Sequence, residues 1–105
     1  MPERVALVGT GGISHWPATP DSGKINEDWD RDFLDRWCRN DRDALLDYTD
    51  VSTYLDAGQG GFEIRTFLAV AAAARGAQGT VRCYVPIPIF AVGCTVASYA
   101  LEPAP

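Results

Sequence analysis

The sequence predicts an α/β chain in which helices pack in layers on a small mixed β-sheet, and three stretches carry that prediction. The run Arg4-Val5-Ala6-Leu7-Val8 is aliphatic without polar alternation and ends in Gly9, as a buried strand would. Trp29, Phe33, Leu34, Trp37 and Cys38 recur at helical spacing. Two segments rich in β-branched and aromatic residues, 80–85 and 90–99, occupy the last third.

In chain order, residues 4–8 read as a strand covered on both faces, with a sharp turn at its carboxyl end. Gly9, Gly11 and Gly12 then allow positive φ and close approach by another group. Residues 18–24, rich in Pro, Asp, Ser and Gly, form a loop. Asn26 can cap a helix over residues 27–39, whose first turns hold Glu27, Asp28, Asp30 and Asp32, where the macrodipole favours negative charge. The acids from Glu27 to Asp35 read as a solvated face. A second short helix is expected over residues 41–48, capped by Asn40, and a third near residues 51–55. Gly58, Gly60 and Gly61 break the chain again. Residues 62–74 follow as a helix apolar on nearly all sides, which implies burial, stopping before Gly76. Pro86 and Pro88 oppose regular ladder bonding, so an extended or bulged corner should join the last two strands.

At 105 residues the chain allows a single domain. Nine basic against fourteen acidic residues give a net charge of −5, and the basic residues are scattered, which argues against nucleic acid as a partner. No apolar run approaches the ~20 residues of a membrane-spanning helix. The start Met1-Pro2-Glu3-Arg4 does not read as a secretion signal, so a cytoplasmic protein is expected. Cys38, Cys83 and Cys94 are odd in number and form no C-x-x-C pair, which suits reduced, buried thiols. There is one histidine, His15, so a site needing two imidazoles cannot be completed within one copy.

Three features could carry chemistry. The glycine turn follows a strand-like run, as a dinucleotide fingerprint does, but the third glycine is missing and Pro17 and Pro20 prevent a helix from starting there. His15, just past that turn, can project into a crevice and move protons near neutral pH; it can equally be a satisfied structural residue. Glu63, beside the second glycine cluster, can stabilise a helix amino terminus or offer a carboxylate to a metal ion. Arg65 points elsewhere on the helix and is no local partner for it.

Taken together, three ordered motifs resemble the carboxyl-terminal part of class III extradiol ring-cleavage dioxygenases of the protocatechuate 4,5-dioxygenase catalytic-subunit type. They are Val8-Gly9-Thr10-Gly11-Gly12-Ile13-Ser14-His15-Trp16, the stretch from Ile25 through Asn26, Trp29 and Phe33 to Asp35, and Ala57-Gly58-Gln59-Gly60-Gly61-Phe62-Glu63-Ile64-Arg65-Thr66-Phe67-Leu68. The resemblance covers about residues 4–99. It implies a partial domain of a larger α/β/α fold and a non-haem Fe(II) held by two histidines and a glutamate. By that resemblance Glu63 matches the iron-ligating glutamate and His15 a neighbouring acid–base histidine, acting on a catechol-type aromatic substrate with dioxygen. Asn26 and the helix after it would be structural. In the family the two histidine ligands lie upstream of the strand expected at Arg4. The chain is therefore expected to be a fragment or truncated relative that needs its missing amino-terminal half or a partner chain to complete the site, and to be inactive alone. The alternative is a non-catalytic α/β subunit or interaction module that keeps the family's shape without its metal.

Overall fold

The computed structural model describes residues 4–101, so the start at Met1, Pro2 and Glu3 lies outside the described residues. Four α-helices pack against one two-stranded antiparallel sheet, which bears out the α/β class. The helices are α1 (Glu27–Arg39), α2 (Arg42–Leu46), α3 (Asp50–Ala57) and α4 (Ile64–Ala74), and the strands β1 (Gly79–Ile87) and β2 (Val92–Tyr99). A 3-10 turn, Gln59–Glu63, leads into α4, and another, Pro88–Phe90, joins the strands.

α1 forms where the apolar stripe predicted it. The Asn26 side chain accepts the Trp29 N–H, and Arg36 and Arg39 oppose the dipole at the other end. Its inner face supplies Phe33, Leu34 and Trp37 to a core completed by Ile13, Leu45, Ile64 and Ala71. Trp37 is the centre of that packing. Its ring lies 4.0 Å from that of Tyr99 and meets Phe67 edge-on, and its Nε1–H donates to the Phe67 carbonyl at 2.8 Å.

Several local expectations are corrected. Residues 4–8 form no strand and lie exposed, Val5 at 69%, Leu7 at 60% and Val8 at 75%. Among the described residues no neighbouring strand pairs with them, and a single extended segment cannot satisfy its own backbone. The sheet is therefore antiparallel and not mixed. Asn40 does not cap the second helix. It takes the left-handed conformation that ends α1, which asparagine tolerates, and its amide donates to the Ala71 carbonyl; Asp41 caps a shorter α2. The third helix is longer than expected because Thr49 and Ser52 form a reciprocal capping box.

The helix expected from residue 62 starts at Ile64, and Ala69, Ala72 and Ala73 on its outer side are exposed. Alanine favours helix without demanding burial, so an alanine-rich stretch does not specify a covered helix. In the sheet, Pro86 sits within the ladder opposite Gly93, as an edge strand permits, and the corner falls at Pro88. The cysteines are free, but Cys83 is exposed and Cys38 and Cys94 are only half-buried, because the hairpin leaves both faces partly open. No helix is long and apolar enough to cross a membrane among the described residues.

The chain is more open than its length requires. Its radius of gyration is 14.4 Å, against ~13 Å for a compact domain of this size. Its accessible surface is 6967 Å², where about 5,800 Å² is expected for a compact monomer of this mass. Removing the Trp37 ring and its hydrogen bond leaves a cavity in this core. Trp37→Ala is expected to cost about 3–5 kcal/mol and to leave little cooperative unfolding, read as the amplitude and midpoint of a urea transition followed by circular dichroism.

Candidate active site

The two glycine clusters, far apart in sequence, lie against each other. His15 N–H donates to the Ala57 carbonyl at 2.9 Å, and Gly60 N–H donates back to the His15 carbonyl at 3.1 Å. These two bonds lay the first glycine turn along the 3-10 turn that carries Glu63. Thr66 Oγ1 reinforces the join by donating to the Thr10 carbonyl at 2.8 Å.

His15 is buried, and its ring occupies a slot that exists because Gly60 has no side chain. A Cβ at Gly60 would stand 2.4 Å from the ring's Nε2 and Cδ2. Glu63 reaches the imidazole from the other side, with Oε1 at 2.9 Å from His15 Nε2. Its second oxygen, Oε2, accepts the Gly12 N–H at 3.1 Å. Gly11 makes that approach possible, with φ at 137° and an added Cβ only 2.5 Å from Glu63 Oε2. The tautomer follows from these partners. His15 Nδ1 faces the Ile13 carbonyl at 2.9 Å, an oxygen that can only accept, so Nδ1 carries the proton of that bond and Nε2 is the nitrogen turned to the Glu63 carboxylate. The imidazole is thus fixed at one nitrogen and can exchange a proton at the other.

His15 and Glu63 open onto a cleft of about 410 Å³ lined by Gly11, Gly12, Phe90, Val92 and the start of β2. The crevice expected beside His15 is present, and the glutamate shares it. Arg65 pairs with Asp50 at 2.6 Å instead, as its position on the helix suggested. No helix begins at the first glycine turn, as Pro17 and Pro20 suggested.

A residue that the sequence reading placed on a solvated face lies beneath the site. Asp30 is fully buried; its Oδ1 accepts the Ser14 N–H at 2.8 Å and its Oδ2 the Tyr84 hydroxyl at 2.5 Å. Burial pushes the Asp30 carboxyl above its ordinary value, against the bonds from Tyr84 and Ser14 that pull it down. Burial likewise raises the Tyr84 hydroxyl, which stays a neutral donor. The signal was available: Asp30 stands three, four and seven positions before Phe33, Leu34 and Trp37, on the stripe that faces the core.

The profile of the family described as the catalytic LigB subunit of aromatic ring-opening dioxygenase matches residues 1–96. The chain belongs to that family. No individual curated protein matches it. Family membership raises the question of a metal, and the donor set here does not fit one by itself. Among the described residues no three His, Cys, Asp or Glu side chains converge, and both Glu63 oxygens already hold protein donors.

Two outcomes follow. Gly60→Ala inserts a carbon into the ring slot, so the His15–Glu63 contact is expected to break while the fold survives with a loss of about 1–3 kcal/mol; imidazole resonances and a urea midpoint report the two effects. Because the folded Asp30 carboxyl titrates above the ~3.9 of an unfolded aspartate, its contribution is fully present below that value and is lost as pH rises through the folded one. Wild type should therefore gain stability relative to Asp30→Asn as pH falls from 7 towards 4, measured by urea midpoints at several pH values.

Proposed function

We propose that this chain is the carboxyl-terminal segment of an extradiol dioxygenase of the LigB family, supplying His15 as acid–base and Glu63 as one carboxylate ligand of a non-haem Fe(II). The single observation that carries this reading is the convergence of those two side chains, 2.9 Å apart, at the mouth of one cleft. A catechol-type substrate would be cleaved beside its diol, with dioxygen as the oxidant. His15 has the arrangement such a role needs. Nδ1–H is anchored on the Ile13 carbonyl, so once Glu63 turned to the metal Nε2 would be free to take a hydroxyl proton from the substrate and return one to the product without the ring turning.

The remaining two metal ligands would be histidines from an amino-terminal half or partner chain, since His15 is the chain's one histidine. Fe(II) held by a lone carboxylate would be weak, because a borderline metal needs nitrogen donors and a complete geometry. The excess surface and the exposed Val5, Leu7 and Val8 support a body that is covered when whole. Cytoplasmic placement belongs to the same proposal. The competing reading, a non-catalytic module, draws on the absence of a three-donor cluster among the described residues.

Dioxygen uptake with a catechol separates the two. No uptake is expected from the chain alone, and uptake is expected once a half bearing two histidines is added with Fe(II). Uptake by the isolated chain contradicts the segment reading, and none after completion favours the module. In the completed enzyme His15→Ala should lower turnover about 10²–10⁴-fold with iron still bound, whereas Glu63→Ala should lose the iron. Equal iron contents in the two variants, measured by metal analysis, would overturn that division of roles.

A further inference from the structure

The Asp30 carboxylate joins two walls of the cleft that are otherwise held by different parts of the chain. Through Oδ1 it grips the Ser14 amide, and Ser14 is the residue before His15. The Ser14 hydroxyl is itself engaged, accepting the Asn26 N–H at 2.8 Å. Through Oδ2 it grips Tyr84, which pairs with Thr95 across the hairpin. Gly93 packs directly on this junction: a Cβ there would stand 2.7 Å from Asp30 Oδ2 and 2.9 Å from the Tyr84 oxygen. Gly93, Cys94 and Thr95 line the same cleft as His15 and Glu63. One buried group thus bridges the turn that carries the imidazole and the hairpin that faces it.

A core position on α1 has no packing need for an acid. An apolar side chain of similar size would avoid the cost of burying a carboxylate. What an apolar side chain cannot do is accept two hydrogen bonds in fixed directions, one of them from a backbone amide next to the candidate acid–base.

We propose that Asp30, with Tyr84 as its second anchor, is a positioning residue that sets where His15 Nε2 stands in the cleft. The proposal rests on His15 acting as acid–base, and it touches no substrate itself. Neighbouring geometry explains how it acts. The Ser14 amide, the Ile13 carbonyl under Nδ1 and the His15 amide on Ala57 belong to one short turn, so releasing the first loosens the seat of the ring.

Because the chain has one histidine, the imidazole gives one set of resonances in the full chain labelled with ¹⁵N-histidine. Wild type should show a protected Nδ1–H. Asp30→Ala should shift the ring nitrogens and speed exchange of that proton about tenfold, the loss expected for one buried hydrogen bond. Tyr84→Phe should move the same signals in the same direction by less. Asp30→Asn, which can accept from Ser14 and donate to Tyr84, should stay within about twofold of wild type. A merely structural role would lower thermal midpoints and leave the imidazole signals in place, and that result overturns the proposal. If Asp30→Ala fails to fold, Tyr84→Phe decides: wild-type imidazole signals in that folded variant overturn it equally. No substrate is used, so a negative catechol assay would remove the dioxygenase reading without changing this outcome.

Discussion

Everything at the cleft depends on two backbone hydrogen bonds that pin the His15 peptide between Ala57 and Gly60. They bring together two glycine-rich turns separated by three helices, and the contact is close because side chains are missing where the strands of chain touch. Backbone groups that pair this way need no side chain to hold them. The Glu63 carboxylate adds to that join through the Gly12 N–H, while its other oxygen faces the imidazole.

This explains an uneven division of labour in the molecule. Helices α1 and α4 supply a core centred on Trp37, Phe33 and Ile64, and the hairpin closes one side of it through Tyr99, whose hydroxyl donates to the Trp37 carbonyl. Glu63 sits just before α4, and His15 on the glycine turn that precedes α1 in the chain. A helical base with two glycine-rich turns laid against each other is what lets a small chain hold two polar side chains together in a half-open site.

Much of this was legible in the residues. The helical stripe from Trp29 to Trp37 named α1 with its cap, because a packed face and an asparagine cap are both local signals. His15 and Glu63 were legible only as a pair within ordered motifs; neither spacing nor composition brings residues 15 and 63 together. Three of the errors share one cause. Residues 4–8, the alanine-rich α4 and Asp30 were each read from composition, whereas their fates were decided by partners: a strand needs a neighbour, a helix face needs something to cover it, and an acid on an apolar stripe needs donors. Asp30 found its donors in Ser14 and Tyr84, and residues 4–8 found no strand at all among the described residues.

The glycine at position 93 has a consequence for how such a cleft can vary. Since even one carbon there would collide with both the Asp30 carboxylate and the Tyr84 oxygen, any larger residue would wedge the hairpin outward. The gap between the two banks of the opening is in effect calibrated by an atom that is not there. A lineage wishing to admit a bulkier molecule could widen the passage by that one replacement, at the expense of the bonds that keep its opposite bank in register.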